Sequence, residues 1–444
     1  MALDDNISTS GFNHSQDPTT ASGDKSGLGD RPSLSASPAV TAPAPRLNAR
    51  QWLQILSTSI AFFNTWGILL TSGAFQTYYE ETPLQDYSSS TISWISTTCA
   101  FVTLAVGIIT GPLYDQGFYR LLLLFGSLLQ VFGLMMLSLS TKYYEIFLSH
   151  SICTGLGAGI LFTPSLAAAG AALPNVSTRT KAMGLVACVS SIGGVIYPIT
   201  FQRLVPQIGF PWTVRTIGFI MLALYFISYS VLIGHQQKPA TVWRLFDVSA
   251  LTDLPYMILC VSAILSAMVY LIPLLYIPLS AKVSVPSISS DLASNLLPIM
   301  NGASAIGRII AGVAGAKFGA TETFSVSIVL SSIVLFCWIP VGTTAGIIVW
   351  SVFWGMISGF IVALPGAFIP LFCPMEVIGT RSGMFWILFG VGLLIGSPIA
   401  GVIYDVRSGG RDLWHLQVFA GVILMGSAIL MVYPIVHLHR KAQA

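Results

Sequence analysis

Arg308 is the residue whose chemistry first asks for an explanation. It is the one ionised side chain well inside a long apolar run, and such a charge normally faces a bundle interior and marks a pathway. Its guanidinium is a rigid, multi-donor fork suited to a carboxylate or an enolate. It also lies about ten residues from one end of its run, roughly 15 Å at the helical rise. Snorkelling to that surface, or holding a helix contact, is therefore the competing reading. Ser304 precedes it by one helical turn, and Asn301 lies on the same run. Asn64, in the first apolar run, is a second amide of the same kind. Both amides line a cavity or pair helix to helix. Tyr270, Trp354 and Trp386 offer flat faces to a large ligand, against the plainer alternative of packing. His150 is a lone imidazole with no acid near it in sequence, a candidate proton relay.

A second constellation is GPLYDQGFYR at 111–120. Gly111 and Gly117 permit a tight turn, and Asp115 can face a helix N-terminus or a base from elsewhere in the molecule. With Arg120 they form a candidate gate latch, made in one conformation and broken in another; the bland reading is a capped short loop. The counterpart GVAGAKFGATET at 312–323 keeps Gly315, Lys317 and Gly319 but has Ala316 where an acid would stand. A second latch there is weakened.

Other chemistries find no support. The six cysteines, at 99, 153, 188, 260, 337 and 373, lie in or beside apolar runs and form no CxxC. They read as small packing residues rather than zinc ligands or a disulfide framework. GLGAG at 155–159 is close helix packing, because no strand precedes it and no Lys follows. No phosphate-binding GKS/T loop and no Ser/His/Asp context appears. No cofactor and no metal is expected, an enzyme is disfavoured, and energy must come from gradients.

The elements that position these residues follow from composition. Of 444 residues, 54% are apolar and 8% charged, with a mean hydropathy of +0.78. Soluble proteins carry about 25% charged residues. Long apolar runs with brief polar gaps predict an all-α membrane protein. The net charge of +3 on so long a chain gives no reason to expect nucleic acid as a partner. Twelve spans are predicted near 51–76, 92–112, 121–140, 144–169, 182–201, 212–234, 254–277, 292–315, 323–341, 344–371, 382–404 and 414–437. Residues 1–50, rich in Ser, Thr, Pro, Gly and Asp, cannot bury enough apolar surface to offset chain entropy and are expected to be a disordered tail. An even number of spans puts both termini on one side. With that side cytoplasmic, the inner segments hold thirteen Lys and Arg and the outer ones five, which orients both ends inside.

The chain also repeats. A shift of 200 places Gly155 on Gly355, Gly159 on Gly359, Pro174 on Pro374, Lys181 on Arg381 and Pro198 on Pro398. Parallel repeats of this size predict two six-helix halves, 51–234 and 254–437, joined by a loop at 235–253 and ending in a short tail at 438–444. A site near the midplane between the halves follows from that arrangement.

The stretches FFNTWGILLTSGAFQTYYE at 62–80, GPLYDQGFYRLLLLFGS at 111–127, GLGAGILFTPS at 155–165, NGASAIGRIIAG at 301–312 and LLIGSPIAGVIYD at 393–405 resemble the fungal monocarboxylate-porter branch of the major facilitator superfamily. The resemblance runs over nearly all of 51–437. It implies the major facilitator fold of twelve transmembrane helices and alternating access, often with a proton as coupling partner. Departures from the family matter. Residues 46–52 read RLNARQW rather than an acid, two glycines and an aromatic; helix 1 has no charge; and Ser304 stands where the animal lactate carriers place an aspartate. Export of a small organic anion or amphipathic fungal metabolite is therefore favoured. Proton-coupled uptake of a short monocarboxylate is the alternative, and a non-transporting nutrient sensor the second. The expected setting is a monomer in the lipid bilayer of the plasma membrane.

Overall fold

A computed structural model describes residues 47–171, 173, 176–232, 247–285, 287–373, 378–407 and 413–443. The tail through residue 46 and the central stretch 233–246 lie outside the described residues. The chain forms α1 (Ala49–Leu69), α2 (Ser72–Glu81), α3 (Ser89–Ala105), α4 (Gly107–Asp115), α5 (Tyr119–Leu137) and α6 (Tyr143–Ile146). A π-helical turn at Phe147–Cys153 runs into α7 (Thr154–Ala171), and α8 (Val176–Val231) follows. Beyond the central stretch come a 3-10 turn (Val248–Thr252), α9 (Leu254–Ser284), α10 (Ser290–Phe318), α11 (Ala320–Phe336) and α12 (Thr344–Ala363). Short α13 (Pro365–Phe368), α14 (Ile378–Arg407) and α15 (Trp414–Gln443) complete the described chain.

Among the described residues ten helical segments are long and apolar enough to cross a membrane. One of them, α8, has 56 residues and breaks at Gly209, whose φ of 75° and ψ of 165° are not helical. At about 1.5 Å per residue a span needs only about 20 residues, so α8 supplies two arms. With the 17-residue apolar α11 the count is consistent with twelve. The expected boundaries hold to within several residues, and the first helix begins at Ala49, where Asn48 and Gln51 form a reciprocal capping box. Helices starting at the opposite end carry their own hydroxyl caps: Ser88 accepts from Thr91 N–H, Ser289 from Leu292 N–H and Thr343 from Gly346 N–H.

We call the side where α1 begins and α15 ends the terminal side, and the other the far side. Large apolar side chains point outward at mid-helix, among them Phe226 at 73%, Ile429 at 67% and Phe125 at 62% exposure. In water such a surface would drive aggregation; against lipid it is the natural exterior.

The repeat is visible in contacts. Ser57 on α1 and Ser228 on α8 each donate a hydroxyl to the other's carbonyl, at 3.1 and 3.0 Å. Ser262 on α9 and Ser427 on α15 do the same, at 3.0 and 2.8 Å. The turn glycines also correspond: Gly117 has φ 90° and Gly319 φ 98°, the left-handed region that a side chain disfavours. Gly111 does not share that role. It lies within α4, which continues through Pro112 to Asp115, so the tight turn expected from the pair rests on Gly117 alone.

The halves meet along two seams, α3 against α14 and α8 against α10. In the second seam the backbones nearly touch, since a Cβ on Gly184 would come within 2.9 Å of the Arg308 carbonyl and 3.1 Å of Gly312 Cα.

Candidate functional site

Arg308 projects from the middle of α10 and is 0% exposed. Glycines on both flanks make room for it. Gly184 approaches its backbone, and a Cβ at Gly359 on α12 would stand 3.2 Å from its Cγ. Its Nη1 donates to the Ala187 carbonyl at 2.9 Å and to Ser190 Oγ at 2.6 Å, both on α8 of the other half. Its Nη2 donates to the Tyr270 hydroxyl at 3.3 Å on α9. Its Nε is buried with no partner. None of the four ion pairs among the described residues includes Arg308. The cation is held by neutral dipoles only, and it does not snorkel. A buried charge so placed retains a large unmet demand for an anion.

Tyr270, read from the sequence as a flat face for a ligand, meets Arg308 through its hydroxyl instead. Ser304 is one turn away on α10 and its Oγ is buried without a partner. Asn301, a further turn along, donates Nδ2 to the Gly194 carbonyl at 2.7 Å and the Leu70 carbonyl at 3.3 Å. It staples the halves. Asn64 resolves toward helix pairing: it accepts from the Tyr197 hydroxyl at 2.6 Å and donates to the Met221 carbonyl at 3.3 Å, all within the first half.

Trp354 is fully buried on α12, stacked 6.2 Å from Trp350, and its Nε1 has no partner. Trp386 on α14 meets Phe162 of α7 edge-on at 5.5 Å, and Phe162 in turn meets Phe62 and Trp66 of α1 at 5.4 and 5.7 Å. An aromatic cluster thus bridges the halves. Phe162 and Ser190 were not singled out from sequence, and one more Phe or Ser in an apolar run carries no signal of its own. Phe162 falls in a stretch quoted above, but only its three-dimensional neighbours distinguish it.

The latch residues separate. Arg120 donates Nη2 to the Leu232 carbonyl at 3.0 Å and so caps the end of α8 within its own half. Gly117 makes the turn, Gly111 is helical, and the Asp115 side chain lies outside the described residues. A better-defined ionic cluster occurs on the terminal side around Arg381 at the start of α14. Its Nε donates to Asp247 at 2.8 Å and its Nη1 to Asp253 at 2.6 Å, while its Nη2 reaches Ser249 Oγ at 3.3 Å. The Ser249 hydroxyl and N–H, then the Arg381 fork, hold the Asp247 carboxyl below the usual range. The far side has its own inter-half ties: Lys282 to Glu81 at 2.7 Å, Gln202 to the Ser294 carbonyl at 2.9 Å and Ser90 to the Pro398 carbonyl at 2.9 Å. Beside them lies a cavity of about 440 Å³, lined among others by Tyr78, Glu81, Phe201, Arg203 and Asp291. None of the residues expected to bind substrate lines it.

Residues 54–388 match the family model described as Major Facilitator Superfamily. The chain belongs to that superfamily. A major facilitator is a multi-pass membrane protein that carries small-molecule substrates and is not an enzyme, which accords with a charged, aromatic locus between packed helices. Fungal members are similar over most of their length. The MFS-type transporter dbaD of Emericella nidulans is 38% identical over 376 residues, 84% of this chain and 83% of that one. The fujikurins efflux protein of Gibberella fujikuroi is 34% identical, covering 86% and 81%. The aspyridones efflux protein apdF of Emericella nidulans is 32% identical, covering 87% and 78%. The crystal structure of the human organic anion transporter MFSD10 (TETRAN) superposes with a TM-score of 0.62 at 12% identity, covering 86% of this chain and 98% of that one. At that identity the likeness concerns the fold.

Proposed function

We propose that this facilitator exports an organic anion or amphipathic secondary metabolite of a fungal cell by alternating access, and that Arg308 is the group that draws the substrate in. The observation that carries the reading is the guanidinium buried between the halves with no carboxylate and an unpartnered Nε. An incoming anion would take over the donors now spent on the Ala187 carbonyl and Ser190. Because those two acceptors belong to the other half, substrate binding and inter-half contact compete for one side chain. The unpartnered Ser304 Oγ and Trp354 Nε1 add polar capacity at similar depth, and the Trp386–Phe162 cluster adds flat apolar area. Two similar proteins bear the names of efflux proteins for fujikurins and aspyridones, which supports the direction. The missing acid at Ser304 weighs against lactate-type symport, and with it against the monocarboxylate alternative. Both termini lie on the cytoplasmic side in this reading, with the far side outside the cell; the plasma membrane is the proposed location and the monomer the working unit.

Profiling of metabolites in medium and cells, with and without the protein, tests it. Export predicts a compound that leaves the medium and accumulates inside when the protein is deleted. Unchanged profiles, or a compound that stays in the medium only on deletion, would contradict export.

A further inference from the structure

We propose that His150 is a proton-binding site of this transporter, and that its protonation loosens the far-side seam through Tyr79 and α2. The inference adds an energy source to the export reading but uses a different part of the molecule. His150 lies within the span Tyr143–Ala169 and is 2% exposed. Among the described residues it is the one buried histidine inside a span; the other buried Asp, Glu, Lys, Arg or His side chains are Arg308, Arg381 and Asp247, two guanidiniums that stay charged and a carboxylate outside the spans. His150 occupies a π-helical turn in which Thr154 N–H bonds back to the Ser149 carbonyl, a local widening that recurs at functional positions.

The ring is placed to report to the seam. Its Nδ1 is 2.9 Å from the Tyr79 hydroxyl, and Phe75 packs against it with centroids 4.7 Å apart. Both rings sit on α2, a ten-residue helix that follows α1 after a turn at Leu70–Thr71. The other face of α2 is the seam itself. Gly73 lies against the Leu274 carbonyl of α9, Glu81 pairs with Lys282, and Tyr78 lines the far-side cavity while stacking on Phe210 at 4.6 Å. We assign the neutral ring its proton on Nε2, so that the Tyr79 hydroxyl donates to Nδ1. When a proton from far-side water is taken up, Nδ1 becomes a donor. The Tyr79 hydroxyl must then turn to accept, and its own proton needs a new acceptor. A cation buried beside Phe75 is costly without water, and water is admitted by tilting α2 off α9. Loss of the proton restores the original bond and closes the seam.

Few other groups compete for this role. From α2 come Tyr78 and Glu80, the latter bonded to Gln76 at 2.6 Å. From α3 comes Cys99, beside Tyr79. From α6 come Tyr143, Tyr144 and Glu145, whose carboxylate accepts from Thr141 and Lys142 N–H at 2.9 and 3.2 Å. The titratable side chains of α5 are Tyr119 and Arg120 at its opposite end, α7 has none, and α8 brings Phe201 and Phe210 to the cluster with Arg203 in the cavity beyond.

The test is backbone hydrogen exchange of Ser72–Glu81 in the full chain in lipid nanodiscs, without substrate, from about pH 8 to about pH 5.5 and corrected for intrinsic chemistry. Exchange should rise by about threefold or more at acid pH in the parent protein. The rise should vanish in His150→Gln and persist in His415→Gln. A flat parent profile, or a rise that survives His150→Gln, overturns the proposal. Should His150→Gln fail to fold, Tyr79→Phe keeps the imidazole but removes its partner, so the midpoint must move; an unmoved midpoint overturns it equally. Failure here leaves the export reading standing, and unchanged metabolite profiles would remove export while leaving this titration intact.

Discussion

Arg308 holds its charge at 0% exposure with donors spread over a carbonyl and two hydroxyls. Each charge-assisted bond of this kind is worth about 2 kcal/mol, roughly thirtyfold in affinity. Arg308→Ala should therefore lower transport by at least that factor, measured as initial rate of substrate efflux at matched expression. Arg308→Lys keeps the charge and loses the fork, so its main effect should be a weaker apparent affinity with a preserved maximal rate. A lysine variant that matches the parent in both would show that the fork is not used. At this scale the sequence was informative where a residue type is rare in its setting. An arginine deep in an apolar run stands out by type alone. Ser190 and Phe162 do not, because serine and phenylalanine are ordinary in membrane helices and acquire meaning only from what lies 2.6 or 5.5 Å away. Asn64 shows the converse: its type suggested a cavity as readily as a helix pair, and Tyr197 and Met221 decide for the pair.

The start of α14 shows how a helix and a connecting segment are fastened. Arg381 joins it to Asp247 and Asp253 on either side of the 3-10 turn Val248–Thr252, and Tyr256 at the base of α9 donates its hydroxyl to the Arg381 carbonyl at 2.6 Å. The Asp247 carboxyl is lowered by the Ser249 hydroxyl and then by Arg381, so folding favours its ionised form. Its contribution is present above the usual aspartate range and is lost as pH falls through the lower folded value. Asp247→Asn should thus reduce Tm at neutral pH, by a loss of about 1 kcal/mol given the remaining tie to Asp253. The gap between parent and variant should close as pH drops from about 7 to about 3, read by thermal unfolding of the purified protein. A gap independent of pH would mean that the amide fails for reasons of shape rather than charge. The elements themselves were legible from apolar run length. The exceptions have local causes: Gly111 stays helical where a turn was expected, and α1 and α2 break at Leu70–Thr71 with no proline to announce it.

Across the molecule, the ties between halves run from Arg308 outward to the far side: Asn301, Gln202, Ser90 and the Lys282–Glu81 pair. The all-helical membrane fold was readable from composition, because long apolar runs between brief polar gaps leave few alternatives. Which side carries these polar ties was not readable, since they depend on pairs such as Gln202 and Ser294 that are far apart in the chain and individually unremarkable in type. The serine pairs Ser57–Ser228 and Ser262–Ser427 carry a different consequence. Each sews the first stave of its hoop to the last, so each hoop carries a closure of its own. A gene cut inside 235–246 should then yield two fragments that, made together, find one another in the membrane and copurify. Replacing Ser57 and Ser228 by Val unpicks the stitch in one hoop alone, and the first fragment should then be degraded faster while the second keeps its half-life.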